Sequence, residues 1–141
     1  MARRPERRAL ARPAQTPRRV LIVDDDVDAT EMLADALRAA GHEVREEHDG
    51  ASALVAAAQF QPDVVLLDLG LPGMDGIEVA RRLRSYPQLG DVRIVALTGF
   101  GQKSAQTRSA AVGIESLLVK PVDMQTIMDV VTGAVSPVPS A

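Results

Sequence analysis

From residue 20 onward, short apolar runs alternate with longer stretches whose apolar positions recur every three or four residues. The runs are Val20–Val23 (VLIV), Val64–Leu67 (VVLL), Ile94–Leu97 (IVAL) and Leu117–Val119 (LLV). Continuous runs of three or four, rich in β-branched residues, suit parallel strands covered on both faces. The segment His42–Val44 (HEV) is poorer, as an edge strand would be. Between the runs the period becomes helical. Ala29, Met32, Leu33, Ala36, Leu37 and Ala40 keep the i, i+3, i+4 spacing, with Gly41 placed to end that helix. Ala51, Leu54, Val55 and Ala58 repeat the pattern before Pro62. Ile77, Ala80 and Leu83 predict a third helix, residues 101–112 a weaker fourth, and Met124, Ile127, Met128 and Val131 a fifth. Five strands alternating with five helices predict an α/β sheet wound on both faces.

Composition narrows this picture. The chain has 141 residues, room for one domain of ordinary size, and 46% of them are hydrophobic. Only 2% are aromatic, so aliphatic side chains must build the core. There is no cysteine, which excludes a disulfide framework, thiolate metal ligation and cysteine catalysis, and fits a cytoplasmic location. No apolar run approaches the ~20 residues that cross a bilayer. The net charge of -3 conceals an asymmetry. Residues 1–19 hold seven arginines against one acid, Glu6, for +6; the remainder holds nine basic and eighteen acidic residues, for -9. A basic segment therefore precedes an acidic domain. The segment is too poor in large apolar residues to offset its ordering entropy, so 1–18 reads as a disordered tail, 19–134 as the domain and 135–141 as a short flexible end. Clustered arginine also suits contact with nucleic acid or an anionic membrane, though a solvated tail is the simpler reading.

In a sheet of this kind, chemistry collects at the carboxyl ends of the strands. VLIV runs into Asp24, Asp25 and Asp26; VVLL into Asp68; IVAL into Thr98; LLV into Lys120. Helix capping accounts for Asp26 or Asp28. It does not account for Asp68, which precedes Leu69-Gly70-Leu71-Pro72, nor for Lys120 between an apolar run and Pro121. Carboxylates converging in one cleft repel, and a divalent cation with oxygen ligands, Mg²⁺ by chemistry, relieves them. It would also screen Asp68 for attack on phosphorus, with Lys120 and the Thr98 hydroxyl as donors to phosphoryl oxygens. Neither GxxxxGK[ST] nor GxGxxG occurs, which argues against a nucleotide cradle.

The strings VLIVDDD (20–26), VVLLDLGLPGMDG (64–76), IVALTGFG (94–101) and LLVKPVD (117–123) resemble the receiver domains of two-component response regulators, from about 19 to 134. That resemblance implies a flavodoxin-like (CheY-like) fold with strand order 2-1-3-4-5. It implies that Asp68 is the phospho-acceptor and that Asp24, Asp25 and the Gly70 carbonyl help Asp68 hold Mg²⁺. It further implies that Thr98 is the switch hydroxyl, that Lys120 pairs with the phosphate, and that Pro121 follows a cis peptide. The family's usual aromatic three residues before the lysine is Leu117 here, read as a plain strand leucine. Phe100 is the only aromatic near the site and would partly shield the phosphoryl group. The implied function is phosphorelay signalling: acceptance from a histidine kinase or histidine phosphotransfer protein, then contact with a downstream protein or onward transfer. GFGQ and LVKPVD are most like receivers associated with hybrid histidine kinases. A monomer or weak dimer is expected, with no catalysis beyond its own phosphorylation and dephosphorylation. The alternative, a phosphatase or phosphotransferase on a small phosphate ester, lacks a general acid and a substrate cap. His42 and His48 do not supply the acid, since both are expected to face solvent beside the second strand, away from the carboxylates.

Overall fold

The computed structural model describes residues 17–99 and 109–133. Its five strands are β1 (Arg19–Val23), β2 (Glu43–Glu47), β3 (Val64–Asp68), β4 (Arg93–Thr98) and β5 (Ser116–Val119). The helices are α1 (Val27–Ala39), α2 (Gly50–Phe60), α3 (Gly76–Ser85) and α4 (Met124–Thr132), with a 3₁₀ turn at Pro87–Leu89. All strand pairs are parallel and the order is β2-β1-β3-β4-β5. The predicted doubly wound architecture is therefore the observed one. Of the helix expected over 101–112, residues 109–111 are helical; 100–108, Phe100 among them, lie outside the described residues, as do 1–16 and 134–141.

Alternation along the inner strands builds two cores. Leu21, Val23, Val65, Leu67, Ile94 and Ala96 face α2 and α3, where Leu54, Phe60, Val79 and Leu83 pack. Val20, Ile22, Val64, Leu66, Val95 and Leu97 face α1 and α4, where Leu37, Ile127, Val130 and Val131 pack. Each of α1–α4 starts on an aspartate whose side chain accepts from the first turn: Asp26 from Ala29, Asp49 from Ser52, Asp75 from Ile77 and Glu78, and Asp123 from Thr126. Such caps satisfy donors that a helix start leaves unpaired. Gly41 takes φ +100° just past α1, a conformation that costs glycine little. Among the described residues no helix is long and apolar enough to cross a membrane.

Two helix faces differ from the sequence pattern. On α1 the buried residues are Thr30, Ala34 and Leu37, while Met32 is 71% exposed. On α2, Ala53, Leu54, Ala57 and Phe60 turn inward and Val55 outward. In alanine-rich helices the period barely distinguishes neighbouring faces, so Leu37 and Phe60 set the orientation by filling the cores. The second strand is also longer than HEV suggests. It runs to Glu47, because an edge strand can carry charge without burying it.

Candidate functional site

Parallel pairing brings every strand's carboxyl end to one edge of the sheet. Val23 lies beside Leu67, Asp68 beside Leu97, and Thr98 beside Val119. The residue following each run is thereby delivered to a common rim. Asp24, Asp68 and Thr98 are all buried there, at 4%, 7% and 2% exposure, whereas Asp25 is exposed. Oxygens of Asp24, Asp25 and Asp68 all lie within 4.8 Å of one another. This oxygen-only donor set fits a hard divalent cation.

Lys120 reaches in from the end of β5. Its Nζ donates to Asp24 Oδ2 at 2.8 Å and lies 3.5 Å from Asp68 Oδ2. The Lys120–Pro121 peptide is cis, as the resemblance implies. The backbone N–H of Gly70 donates to Asp68 Oδ1 at 3.0 Å, and that of Asp26 to Asp24 Oδ1 at 3.0 Å. Burial raises the Asp68 pKa from its ordinary value. The Gly70 N–H pulls it down, the Asp24 charge pushes it up, and the Lys120 ammonium opposes that push. For Lys120, burial works against the charged form, but the hydrogen bond to Asp24 and the charges of Asp68 and Asp24 outweigh it, and its pKa rises. An acid at a strand end thus becomes a partly desolvated carboxylate with an ammonium at its side.

The Thr98 hydroxyl shares this rim and donates to the Gly99 carbonyl at 3.3 Å. Leu117, half-buried on β5, packs on the α2–α3 core. That agrees with its reading as a strand leucine.

Both histidine expectations need correction. His42 is 5% exposed, and its Nδ1 accepts the Arg18 backbone N–H at 3.0 Å. The turn after α1 folds it inward, with its own N–H donating to the Leu37 carbonyl. His48 is half-buried, and its Nδ1 meets the Asp24 carbonyl at 2.9 Å, so it adjoins the acid cluster. Since a carbonyl only accepts, this imidazole nitrogen carries the proton. The available signal was strand length: with β2 running to Glu47, residue 48 falls at the same carboxyl rim as the acids.

Gly76 carries a constraint that the string VVLLDLGLPGMDG does not reveal. A Cβ there would sit 2.6 Å from the Leu69 Cα and 2.7 Å from the Asp68 carbonyl oxygen. Only glycine lets α3 start against the backbone that carries Asp68.

Residues 20–132 match the profile of the response regulator receiver domain. The chain is 34% identical over 110 residues to the DNA-binding dual master transcriptional regulator RpaA of Synechocystis, covering 78% of this chain and 46% of that protein. It is 29% identical over 115 residues to the polar-differentiation response regulator DivK of Brucella anthropi, covering 82% of this chain and 94% of that one. Among solved structures, the chemotaxis response regulator CheY4 of Vibrio cholerae superposes with a TM-score of 0.77 at 30% identity, over 85% of this chain and all of that one. The chain thus spans less than half the length of RpaA but nearly all of DivK.

Proposed function

The chain belongs to the response regulator receiver family of two-component signalling, and on that premise we propose that Asp68 is its phospho-acceptor. The observation that carries this is the setting of Asp68 at the end of β3: buried, 3.5 Å from the Lys120 ammonium, with carboxylate oxygens of Asp24 and Asp25 within 4.8 Å. An Asp68 carboxylate oxygen attacks the phosphorus of a phosphohistidine on a histidine kinase or phosphotransfer protein. The P–N bond breaks as the P–O bond forms, and the leaving imidazole takes up a proton from solvent. Lys120 exchanges part of its pairing with Asp24 for the new phosphoryl oxygens, and the Thr98 hydroxyl turns from the Gly99 carbonyl to donate to one of them. Asp24, Asp25, Asp68 and the Gly70 carbonyl would hold Mg²⁺, which neutralises charge on the carboxylates and the transferring group.

The output in this reading is a protein contact or onward transfer to a second histidine, as suits a receiver unit that matches DivK over 94% of its length. Phosphorylation brings roughly -1.5 to -2 of charge to a buried rim. Gly99, whose carbonyl the Thr98 hydroxyl gives up, is the backbone that responds first.

Acetyl phosphate with Mg²⁺ tests the assignment without a partner. An acyl phosphate should appear on Asp68 by peptide mapping, disappear in Asp68→Asn, and fall at least tenfold on chelation of the metal. A label that persists in Asp68→Asn, or maps elsewhere, overturns it.

A further inference from the structure

Between α1 and α4 runs a groove of about 560 Å³ floored by Ile22 and Leu97 and walled by Leu33, Met124 and Ile127. Its outer wall is built from α1. Asp28, Met32 and Asp35 follow one another at i, i+4 and i+7, so they form a single stripe of acid, apolar, acid. Met32 is 71% exposed, a large apolar side chain set in water. Asp28 has no ion pair among the described residues. Asp35 has only a 4.0 Å approach to Arg38, which also pairs with Glu46 at 3.2 Å.

The chain enters the fold beyond this groove, at the far ends of the two helices that flank it. The Arg18 backbone N–H bonds the ring of His42, just past the end of α1, and the Arg18 guanidinium donates to the Thr132 carbonyl at the end of α4 at 2.9 Å. Sixteen residues precede Pro17, and among them is Arg8-Ala9-Leu10-Ala11-Arg12: base, apolar, base.

We propose that residues 7–12 dock along the α1 rim of this groove, with Leu10 beside Met32 and the arginines on the acids just outside it, Arg12 on Asp35 and Arg8 on Asp28. The order fits the path, since the chain climbing away from Arg18 reaches the Asp35 level before Met32 and Asp28. The lengths fit too. Eight residues from Arg18 to Leu10 span up to about 26 Å when extended, while Met32 lies only about 12 Å up the helix from its end. Arg8 and Arg12, about 13 Å apart when extended, can reach two acids about 10 Å apart on a helix. The +6 segment and the -9 remainder supply the attraction, which salt screens.

The groove meets the carboxylate rim at Lys120 and Pro121. The docking does not depend on the proposed phosphotransfer, and its test uses no phosphate.

The full chain has no native cysteine, which permits a direct test. Leu10→Cys is combined with Met32→Cys, or with Val55→Cys on α2, also exposed to solvent but on the opposite face of the sheet. Oxidised by glutathione disulfide at low protein concentration, the Met32 pair should close an intramolecular disulfide about tenfold faster than the Val55 pair, reflecting its higher effective concentration. Arg8→Glu with Arg12→Glu should slow closure, and adding Asp28→Arg with Asp35→Arg should restore it. Equal rates at the two positions, cross-links that join two chains, or a charge swap without rescue each overturn the proposal.

Discussion

A single missing methyl group sets how closely α3 can approach the backbone at the end of β3. The turn Leu71–Gly76 reads in sequence as one that needs glycine for unusual backbone conformations, and Gly73, with φ +81°, uses that freedom. Gly76 serves differently, for a Cβ there would collide with the Leu69 Cα and the Asp68 carbonyl oxygen. Both obstacles are backbone, so neither can swing aside as a side chain would. Gly76→Ala should therefore lower stability by about 1–3 kcal/mol, the usual cost of overpacking, seen as a lower urea midpoint. It should also slow acetyl-phosphate labelling of Asp68 by moving its backbone. An unchanged midpoint would show that the turn relaxes freely. The gathering of Asp24, Asp25, Asp68, Thr98 and Lys120 at one rim was legible, because they stand out by residue type after apolar runs. His48 was not, because its contact with the Asp24 carbonyl depends on where a charged edge strand stops. Gly76 was not either, because close approach is a property of two segments and leaves no periodic trace.

The elements are joined by arginines that tie backbone carbonyls together. Arg84, in the last turn of α3, donates through Nη1 to the carbonyls of Gly90 and Val92 at 3.1 and 2.5 Å and through Nη2 to that of Gly113 at 2.7 Å. One side chain thus holds α3, the 3₁₀ turn and the approach to β5 in place. Gly113, at φ +77°, leaves room for it, since a Cβ would come 2.9 Å from Arg84 Nε. Arg82, two residues earlier, pairs with Glu78 on the exposed face. Replacing each by methionine keeps an apolar stem and removes the donors. Arg84→Met should cost about 2 kcal/mol, as fits hydrogen bonds from a charged group; Arg82→Met should cost under about 1 kcal/mol, as fits an exposed pair. Equal shifts in the urea midpoint would refute this account. Helical and strand periods revealed that these elements exist and their order, but not which arginine is structural, since 82 and 84 look alike in sequence. They also left helix faces uncertain where alanine dominates, and Met32 and Val55 turn out to be exposed.

Across the whole molecule, the carboxyl rim of the sheet gathers buried acids, while at the opposite rim a buried histidine ring fastens the entry of the chain. Arg18, which precedes β1, bonds to His42 after α1 and to Thr132 at the end of α4, so three separated stretches of chain meet there. Burial lowers the His42 pKa below its ordinary value of 6.5, and the adjacent Arg18 charge lowers it further. The ring has a specific reason to stay neutral, because Nδ1 accepts the Arg18 backbone N–H and a proton on that nitrogen would break the bond. In the unfolded chain, His42 binds its proton near pH 6.5, so below that pH the unfolded state holds more protons than the folded one. The stability linked to this residue is complete above about pH 6.5 and is lost as pH falls from there through the lowered folded value. Urea midpoints should therefore drop between pH 7.5 and 5.5, and by less in His42→Gln, whose amide keeps an acceptor for Arg18 without titrating. Groups that titrate elsewhere contribute equally to both proteins and cancel in the comparison. An identical drop in the two would place the pH dependence elsewhere and leave the Arg18 contact as a fixed structural clasp.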